Sequence, residues 1–211
     1  MSALFGARVF SAPDPSSERF NMILSYAKSV DEQSFTALLE NHMAFVRESV
    51  RLSKTMRKSD EKLLNEIMAT LNVSDSQVKF VTYRSSGRPG AILGNAGRVN
   101  NNIFVSEEFV DNTMKLPGGR EMLTATIAHE LSHGPRDFLV LRVLTIDKTL
   151  SASAKDHWRL QLEVNADRGA IELLRNAGEN PQALIRALKG FGELERANSA
   201  EESLRETDQQ K

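Results

Sequence analysis

Two histidines and a glutamate lie close together in the segment Thr126–His133, which reads TIAHELSH. In a helix, residues four apart differ by about 40° of rotation, so His129 and His133 project from the same face. Their imidazole nitrogens can then bind one ion, and such nitrogens are common zinc ligands. Glu130 lies about 100° around the helix from His129, where it can accept a proton from a metal-activated water. The spacing therefore predicts two metal ligands and one general base on a single helix.

A catalytic zinc site needs a third protein ligand and one open position, and the chain has no cysteine to supply that ligand. Glu163 and Asp167 are four apart in a later segment with a helical pattern, so their carboxylates share a face. We expect Glu163 to bind the metal and Asp167 to accept the outer ring N–H of His129, which would fix its tautomer. The spacing alone leaves His133 as an alternative partner of Asp167.

Other side chains can supply the third ligand or the donor that stabilises an oxyanion. His157 precedes Glu163 on the same predicted helix and Glu172 follows it, so both are alternative ligands. Arg168, His157 and Tyr83 are candidate oxyanion donors, and the sequence does not choose among them.

The two motifs together resemble those of a known family. HELSH followed by EVNADR resembles the HtpX-type and CAAX-prenyl-type gluzincin metallopeptidases, which pair H-E-x-x-H with a later E-x-x-A-D. The resemblance covers residues 75–190 and implies a zincin-like fold with one zinc ion per chain. It also implies the site residues: His129, His133 and Glu163 as ligands, Glu130 as base and Asp167 as the residue that orients a ligand.

A weaker part of the resemblance concerns the substrate. Gly94-Asn95-Ala96 precedes a predicted strand and is similar to the edge-strand segment that borders the cleft in that family. The resemblance implies that Asn95 and Ala96 contact a bound peptide. The chain differs from the membrane members of the family, because no hydrophobic span surrounds the motifs and no His-Pro element follows them. It therefore resembles a reduced, soluble relative.

The hydrophobic pattern predicts the elements that position these residues. Residues 18–72 show apolar spacing typical of amphipathic helices, and short alternating runs around 78–83 and 102–105 predict strands. Helical patterns return near 120–133 and 153–177, while residues 136–150 fit a helix or a buried strand. This order predicts an α+β fold: a small mixed sheet beside the active-site helix, with an N-terminal helical extension.

The same pattern divides the chain into regions. We expect a flexible N-terminus over residues 1–17 and a polar C-terminal tail over residues 198–211. Between them we expect a single domain, residues 18–197, with a helical part (18–72) and a catalytic part (73–197).

Composition and the apolar pattern argue against nucleic-acid binding and against a membrane span. Lys and Arg number 27 against 28 for Asp and Glu, so the basic excess typical of nucleic-acid-binding proteins is missing. The mostly basic segment 47–62 is interpreted as a solvated helix face, with a docking patch as the alternative. The longest apolar run, Phe138–Ile146, is interrupted by Arg142 and is shorter than the roughly 20 residues that a membrane span needs.

These observations predict a soluble zinc-dependent metalloendopeptidase that acts on a peptide or protein. The short N-terminal apolar run, interrupted by Arg8, favours a cytoplasmic protein or one exported without a classical signal peptide. The alternative is a metal-binding regulatory or interaction protein whose zincin-like site is catalytically idle. In either case the N-terminal helices can bind a partner or cover the cleft as a prosegment.

Overall fold

The computed structural model describes residues 15–49, 51–52, 55–73, 78–84 and 96–209 of the chain. Helices dominate this part of the chain, and the strands are short. In chain order the elements are α1 (Pro15–Ser29), α2 (Glu32–Ser49), β1 (Arg51–Leu52), α3 (Lys58–Thr70), β2 (Lys79–Arg84), β3 (Ala96–Val99), β4 (Asn102–Ser106), α4 (Glu107–Thr113), α5 (Gly119–Ser132), α6 (Asp137–Ile146), α7 (Ala152–Asn176), α8 (Gln182–Gly190) and α9 (Leu194–Gln209).

The strands form one mixed sheet, which confirms the predicted α+β class. Their order is β1-β2-β4-β3, with β2 and β4 parallel and the other two pairs antiparallel. Side chains of β4 alternate between the two faces, as the geometry of a strand requires. Ile103 and Val105 pack into one apolar cluster, and Phe104 packs into another. Within the described residues, β3 is the last strand at its edge of the sheet.

Two apolar clusters cover the two faces of the sheet. The first joins α3, α5, α8 and α9 with the C-terminal half of α7, and the second joins α1, α2, α6 and the middle of α7. Representative members of the first are Leu64, Leu123, Leu174, Leu188 and Leu204. Representative members of the second are Ile23, Val46, Leu144 and Leu162.

Helix α5 is the central helix of the described fold. All nine residues from Met122 to Glu130 are buried, so the helix has no solvated face in that stretch. It begins at Gly119, where a Cβ atom would lie 2.0 Å from the carbonyl oxygen of Thr113, so the close approach to α4 requires glycine. Its last residue is Ser132, immediately before the second motif histidine.

Helix α7 packs directly against α5 and carries the second motif. The predicted helix over residues 153–177 agrees with the observed bounds to within one residue at each end. The Ser151 hydroxyl caps its N-terminus by accepting the N–H of Ala154 at 3.1 Å. A Cβ atom on Gly169 would lie 2.9 Å from Cβ of Ser132, so this glycine permits the close crossing of the two helices.

The structure decides one open interpretation and corrects two expectations about the chain. Residues 137–146 form helix α6, which is one of the two structures that the sequence allowed for residues 136–150. The predicted polar tail from residue 198 is wrong, because α9 continues through this region. Its buried residues Ala197, Ala200 and Leu204 recur at helical spacing, and two of them are small, so the apolar stripe is weak in the sequence. Helix α1 begins at Pro15, so the last residues of the predicted flexible N-terminus are helical, while residues 1–14 lie outside the described part of the chain.

None of the described helices is both long enough and apolar enough to cross a membrane.

Candidate metal centre

The structure brings His129, His133 and Glu163 together from two different helices. Nε2 of His129 lies 3.1 Å from Nε2 of His133 and 3.2 Å from a carboxylate oxygen of Glu163. The other carboxylate oxygen of Glu163 lies 3.8 Å from Nε2 of His133. One ligand atom from each residue therefore points to a common position, and the three atoms lie within 4.8 Å of one another. This group can hold a metal ion.

The outer nitrogen of His129 faces the predicted carboxylate. Nδ1 of His129 lies 2.8 Å from Oδ1 of Asp167, and both side chains are almost completely buried. A carboxylate that accepts this N–H leaves Nε2 free to bind a metal, because it selects the ring tautomer. The contact assigns Asp167 to His129 rather than to His133.

A guanidinium from α9 completes this side of the site. Nε and Nη2 of Arg196 donate to the two carboxylate oxygens of Asp167 at 2.9 and 2.8 Å. Nη1 of the same side chain lies 3.2 Å from the carboxylate of Glu163. Such a paired contact fixes the plane of a carboxylate as well as its position. Arg196 therefore connects the candidate ligand Glu163 with Asp167, the carboxylate that contacts the candidate ligand His129.

The outer nitrogen of His133 has a different partner. Nδ1 of His133 lies 3.2 Å from Asp137, at the start of α6, and the same carboxylate oxygen accepts the N–H of Gly134 at 2.9 Å. Arg98 of β3 donates to the backbone carbonyl oxygens of Leu131 and His133 at 2.7 and 2.8 Å. These contacts connect the end of α5 to the edge strand and to the following helix.

The charges around the site shift the proton affinities of its ligands in the metal-free protein. Burial disfavours the charged form of His129, but hydrogen bonds to Asp167 and Glu163 outweigh it and raise its pKa to about 9. Burial by itself raises the pKa of Glu163, yet the hydrogen bond to His129 and the nearby positive charges outweigh it and lower the pKa to about 2. His129 and Glu163 are therefore an ion pair at neutral pH, and a metal ion must displace a proton to bind.

Glu130 is the carboxylate of this region that has no partner among the residues that the structure describes. Its side chain is 6% exposed and lines the cleft, and it makes no hydrogen bond or ion pair with the described residues. Burial raises its pKa, although the neighbouring imidazoles and Arg196 partly oppose the shift. A buried carboxylate without a partner is unfavourable for stability, so it marks a candidate functional group.

The metal-binding group lies in a cleft of about 890 Å³. Ala96, at the start of β3, lines this cleft together with the rest of the strand, and its contact with a substrate stays a prediction. Asn95 lies outside the described residues. Elements on both sides contribute side chains, among them Phe45 from α2, Leu141 and Ile146 from α6, and Leu188 and Phe191 from α8 and the residues that follow it.

The alternative ligands and donors do not reach this site. His157 and Glu172 are exposed on α7 and are absent from both the metal-binding group and the lining of the cleft. Arg168 is exposed and donates to the hydroxyl of Ser203 at 3.3 Å. Tyr83 is 1% exposed and belongs to the second apolar cluster, where burial, with the charges of nearby glutamates, raises the pKa of its phenol.

Two residues of the site were missed in the sequence. Asp137 is four residues after His133, the spacing of a helical pair, but Gly134-Pro135 between them indicates a chain break. Arg196 has no local signal, because it lies on the segment next to the predicted polar tail and far along the chain from Asp167.

Comparison of the chain with protein-family models and with curated proteins finds no match. Arguments about function therefore depend on the motif residues and on the geometry of the site.

Proposed function

We propose that this protein is a zinc-dependent endopeptidase with a zincin-like fold, related to the gluzincin metallopeptidases that its motifs resemble. The observation that carries the proposal is the juxtaposition of a three-residue ligand group with the unpartnered, buried carboxylate of Glu130. Both lie in one open cleft beside the edge strand of the sheet. No other part of the described chain combines these features.

The ligand set suits zinc. Ligand atoms arranged tetrahedrally at about 2.0–2.1 Å from an ion lie about 3.3 Å from one another. Nε2 of His129 lies 3.1 Å from Nε2 of His133 and 3.2 Å from one carboxylate oxygen of Glu163, and the other oxygen of Glu163 lies 3.8 Å from Nε2 of His133. These separations are close to the tetrahedral value, so side-chain adjustments can bring all three residues to bonding distance. Two imidazoles and one carboxylate form a known catalytic set that leaves the fourth position open. A bound zinc ion would polarise a scissile carbonyl and lower the pKa of a water molecule.

Glu130 is positioned to move the proton in this reaction. Its carboxylate accepts a proton from the attacking water and then transfers it to the nitrogen of the departing amine. The raised pKa of Glu130 suits both steps, because a carboxylate with a very low pKa binds a proton too weakly to take it from water. Within the described part of the chain its carboxylate oxygens have no hydrogen-bond partner, which leaves them available for this exchange.

The edge strand offers a binding site for the substrate backbone. Residues 96–99 of β3 line the cleft, β3 is the edge strand of the described sheet, and an extended peptide can pair with a strand at such an edge through main-chain hydrogen bonds. Arg98 bonds the end of α5 and thereby keeps this strand next to the ligands. A peptide on the strand would place its backbone within reach of Glu130.

Replacement of Glu130 by Gln tests the proposal. We expect the Glu130→Gln variant to bind zinc as the parent does and to lose peptidase activity by about 1,000-fold or more, because the amide cannot accept the proton. The assay uses a quenched fluorescent peptide library, and elemental analysis reports the zinc content. The matched control is Glu172→Gln, an exposed glutamate outside the cleft, which should retain full activity.

Two outcomes would contradict the proposal. Equal cleavage rates for Glu130→Gln and the parent would exclude Glu130 as the base. Full zinc loading without cleavage of any peptide by the parent would favour a metal-binding regulatory protein instead.

A further inference from the structure

Three arginines line the described part of the cleft, and protein groups already engage two of them. Arg98 donates to backbone carbonyl oxygens at the end of α5, and Arg196 pairs with the carboxylates of Asp167 and Glu163. Arg142 of α6 is exposed and makes no hydrogen bond or ion pair with another described residue. Its guanidinium is therefore the cation of this lining that is available to an anionic ligand.

Two further donors lie on α2 beside Arg142. Asn41 and His42 both line the cleft, and neither has a hydrogen-bond partner within the described chain. The ring of His42 packs against Phe138, with 5.2 Å between the ring centroids, and Phe138 lies one helical turn before Arg142 on the same face of α6. We call Asn41, His42 and Arg142 the donor cluster.

The positive charge of the donor cluster comes from Arg142. Burial lowers the pKa of His42 below its ordinary value of 6.5, and the nearby charge of Arg142 lowers it further. A neutral imidazole still donates one ring N–H, and the amide of Asn41 donates two. The cluster therefore offers one cation and several uncharged donors to the same side of the cleft.

The helices that carry the donor cluster are fixed beside the metal centre. Arg136, three residues after the candidate ligand His133, pairs with Glu32 at the start of α2 at 2.6 Å. The rings of Phe35 in α2 and Phe138 in α6 pack with 5.6 Å between their centroids. The donors are thus carried by two packed helices that adjoin the site.

The position of Arg142 along α6 relates it to the place of cleavage. Asp137, five residues earlier, contacts the candidate ligand His133. Five residues of helix span about 7.5 Å along the axis. An extended peptide advances about 3.3 Å per residue. A substrate residue two or three positions from the scissile bond would therefore lie level with the donor cluster.

We propose that the donor cluster is a specificity subsite that binds a carboxylate of the polypeptide substrate. This proposal rests on the proposed peptidase function and deepens it. A guanidinium can bind a carboxylate through two parallel hydrogen bonds, and the amide and imidazole N–H groups can donate to the remaining lone pairs. Arg142 is the specificity-determining residue. The carboxylate belongs to an acidic side chain near the scissile bond or to the C-terminus of the substrate.

The test compares peptides that differ only in one charge. A library screen first identifies a cleaved peptide with blocked termini, and Glu or Gln is then placed at each position within three residues of the scissile bond. At one position we expect the parent enzyme to prefer Glu by about fivefold in kcat/KM, the upper range for a partly solvated ion pair. A second series without acidic residues compares a free with an amidated C-terminus and so identifies the source of the carboxylate.

Variants of Arg142 change the charge of the subsite. Arg142→Gln should bring the ratio of Glu to Gln cleavage close to one, and Arg142→Glu should make Lys preferred over Gln at the same position. Because each ratio is taken within one protein, a smaller folded fraction cancels. The matched control is Lys148→Glu, which reverses an exposed charge just after α6 but outside the lining of the cleft, and it should retain the ratio of the parent.

Two results of these assays would overturn the proposal. One is a parent enzyme that shows ratios near one in both peptide series. The other is a preference for the carboxylate that is unchanged in Arg142→Gln.

A binding measurement separates failure of this proposal from failure of the peptidase function. Fluorescence anisotropy with Glu130→Gln protein measures the affinity for labelled decapeptides: an amidated one with Glu, an amidated one with Gln at the same positions, and the Gln peptide with a free C-terminus. We expect a carboxylate-bearing peptide to bind about fivefold more tightly than the neutral one, and Arg142→Gln added to Glu130→Gln to remove that difference. If the parent cleaves no peptide but this pattern is found, the peptidase function fails and the subsite stands. Equal affinities for all three peptides overturn the subsite.

Discussion

The two sides of the candidate metal centre hold their histidines in different ways. His129 is oriented by Asp167 at 2.8 Å, a carboxylate that is 1% exposed and is itself bound twice by Arg196. His133 is oriented by Asp137 at 3.2 Å, and the Asp137 side chain is 30% exposed. The first arrangement joins three helices in the interior, whereas the second is local to the turn between α5 and α6. The buried side should therefore control both metal affinity and stability more strongly.

The largest expected difference is in zinc affinity after loss of the buried carboxylate charge. Asp167→Asn removes the charge that supports the ligand His129 and leaves the guanidinium of Arg196 without its main anion. We expect zinc binding to weaken by about 100-fold, the upper end for changes to residues behind a ligand. Competition with a fluorescent zinc chelator measures the dissociation constant. An affinity equal to that of the parent would refute the role of the buried side.

The pH dependence of zinc binding tests the buried side of the centre, where His129 contacts Asp167. Since the pKa of His129 is raised to about 9, its proton competes with zinc below that pH. Between pH 6.5 and pH 9 we expect zinc affinity to rise by up to about tenfold per pH unit, as linkage to one proton requires. Asp167→Asn should flatten this profile, because it removes a hydrogen bond that raises the pKa, whereas Asp137→Asn should leave it unchanged.

The stability of the metal-free protein should fall as pH rises from 6.5 to 9, whereas zinc affinity should rise over the same range. A pKa that is raised above the unfolded value stabilises the fold fully below that value and loses the contribution as pH rises through the folded pKa. The contribution of His129 is thus present below pH 6.5 and lost by about pH 9. Glu163, whose pKa is lowered, contributes above pH 4.5 and loses its contribution as pH falls towards 2. Urea unfolding after chelation should show lower stability at pH 9 than at pH 6.5, and equal stability would contradict the ion pair.

Loss of the exposed carboxylate should have a smaller effect. Asp137→Asn keeps a hydrogen-bond acceptor for Gly134 and removes only a partly solvated charge near His133. We expect zinc affinity to fall by about tenfold or less, the lower end for residues behind a ligand. The chelator competition used for Asp167→Asn checks this value. A loss as large as that of Asp167→Asn would remove the distinction between the two sides.

A conservative change of the arginine should have the smallest effect. Arg196→Lys keeps a positive charge near Asp167 but cannot make the paired contact, so we expect a loss of about 1 kcal/mol in the free energy of unfolding. Arg196→Gln should lose more, since it removes the charge as well. Urea unfolding of the zinc-free proteins orders the two variants. The reverse order would show that charge at this position is dispensable.

Local spacing explains why the ligand group could be predicted. His129, His133 and Glu163 belong to motifs in which one helical turn separates the functional side chains, so the rotation of a helix settles which of them share a face. The contact between the two helices depends on tertiary packing. It could still be inferred, because a catalytic zinc site needs a third protein ligand besides the two histidines. The same reasoning assigned Asp167 to His129 but left His133 as an alternative, and the structure shows the contact with His129.

Other parts of the site depend on packing that the sequence does not encode locally. Arg196 acts through the crossing of α9 over α7, and the small buried residues of α9 made that helix resemble a polar tail. Phe45 enters the cleft because α2 packs on α6, and no spacing relates it to the motifs. Asp137 had the correct spacing from His133, but the glycine and proline between them indicated a break.

The most direct test of the metal centre is the zinc content of three purified proteins. After zinc loading and gel filtration, inductively coupled plasma mass spectrometry should find about one zinc ion per chain in the parent and in His157→Ala. His133→Ala should retain less than about a tenth of that amount, because the remaining ligands cannot hold the ion through the filtration. Circular dichroism verifies that all three proteins are folded. Equal zinc in folded His133→Ala and in the parent would contradict the account.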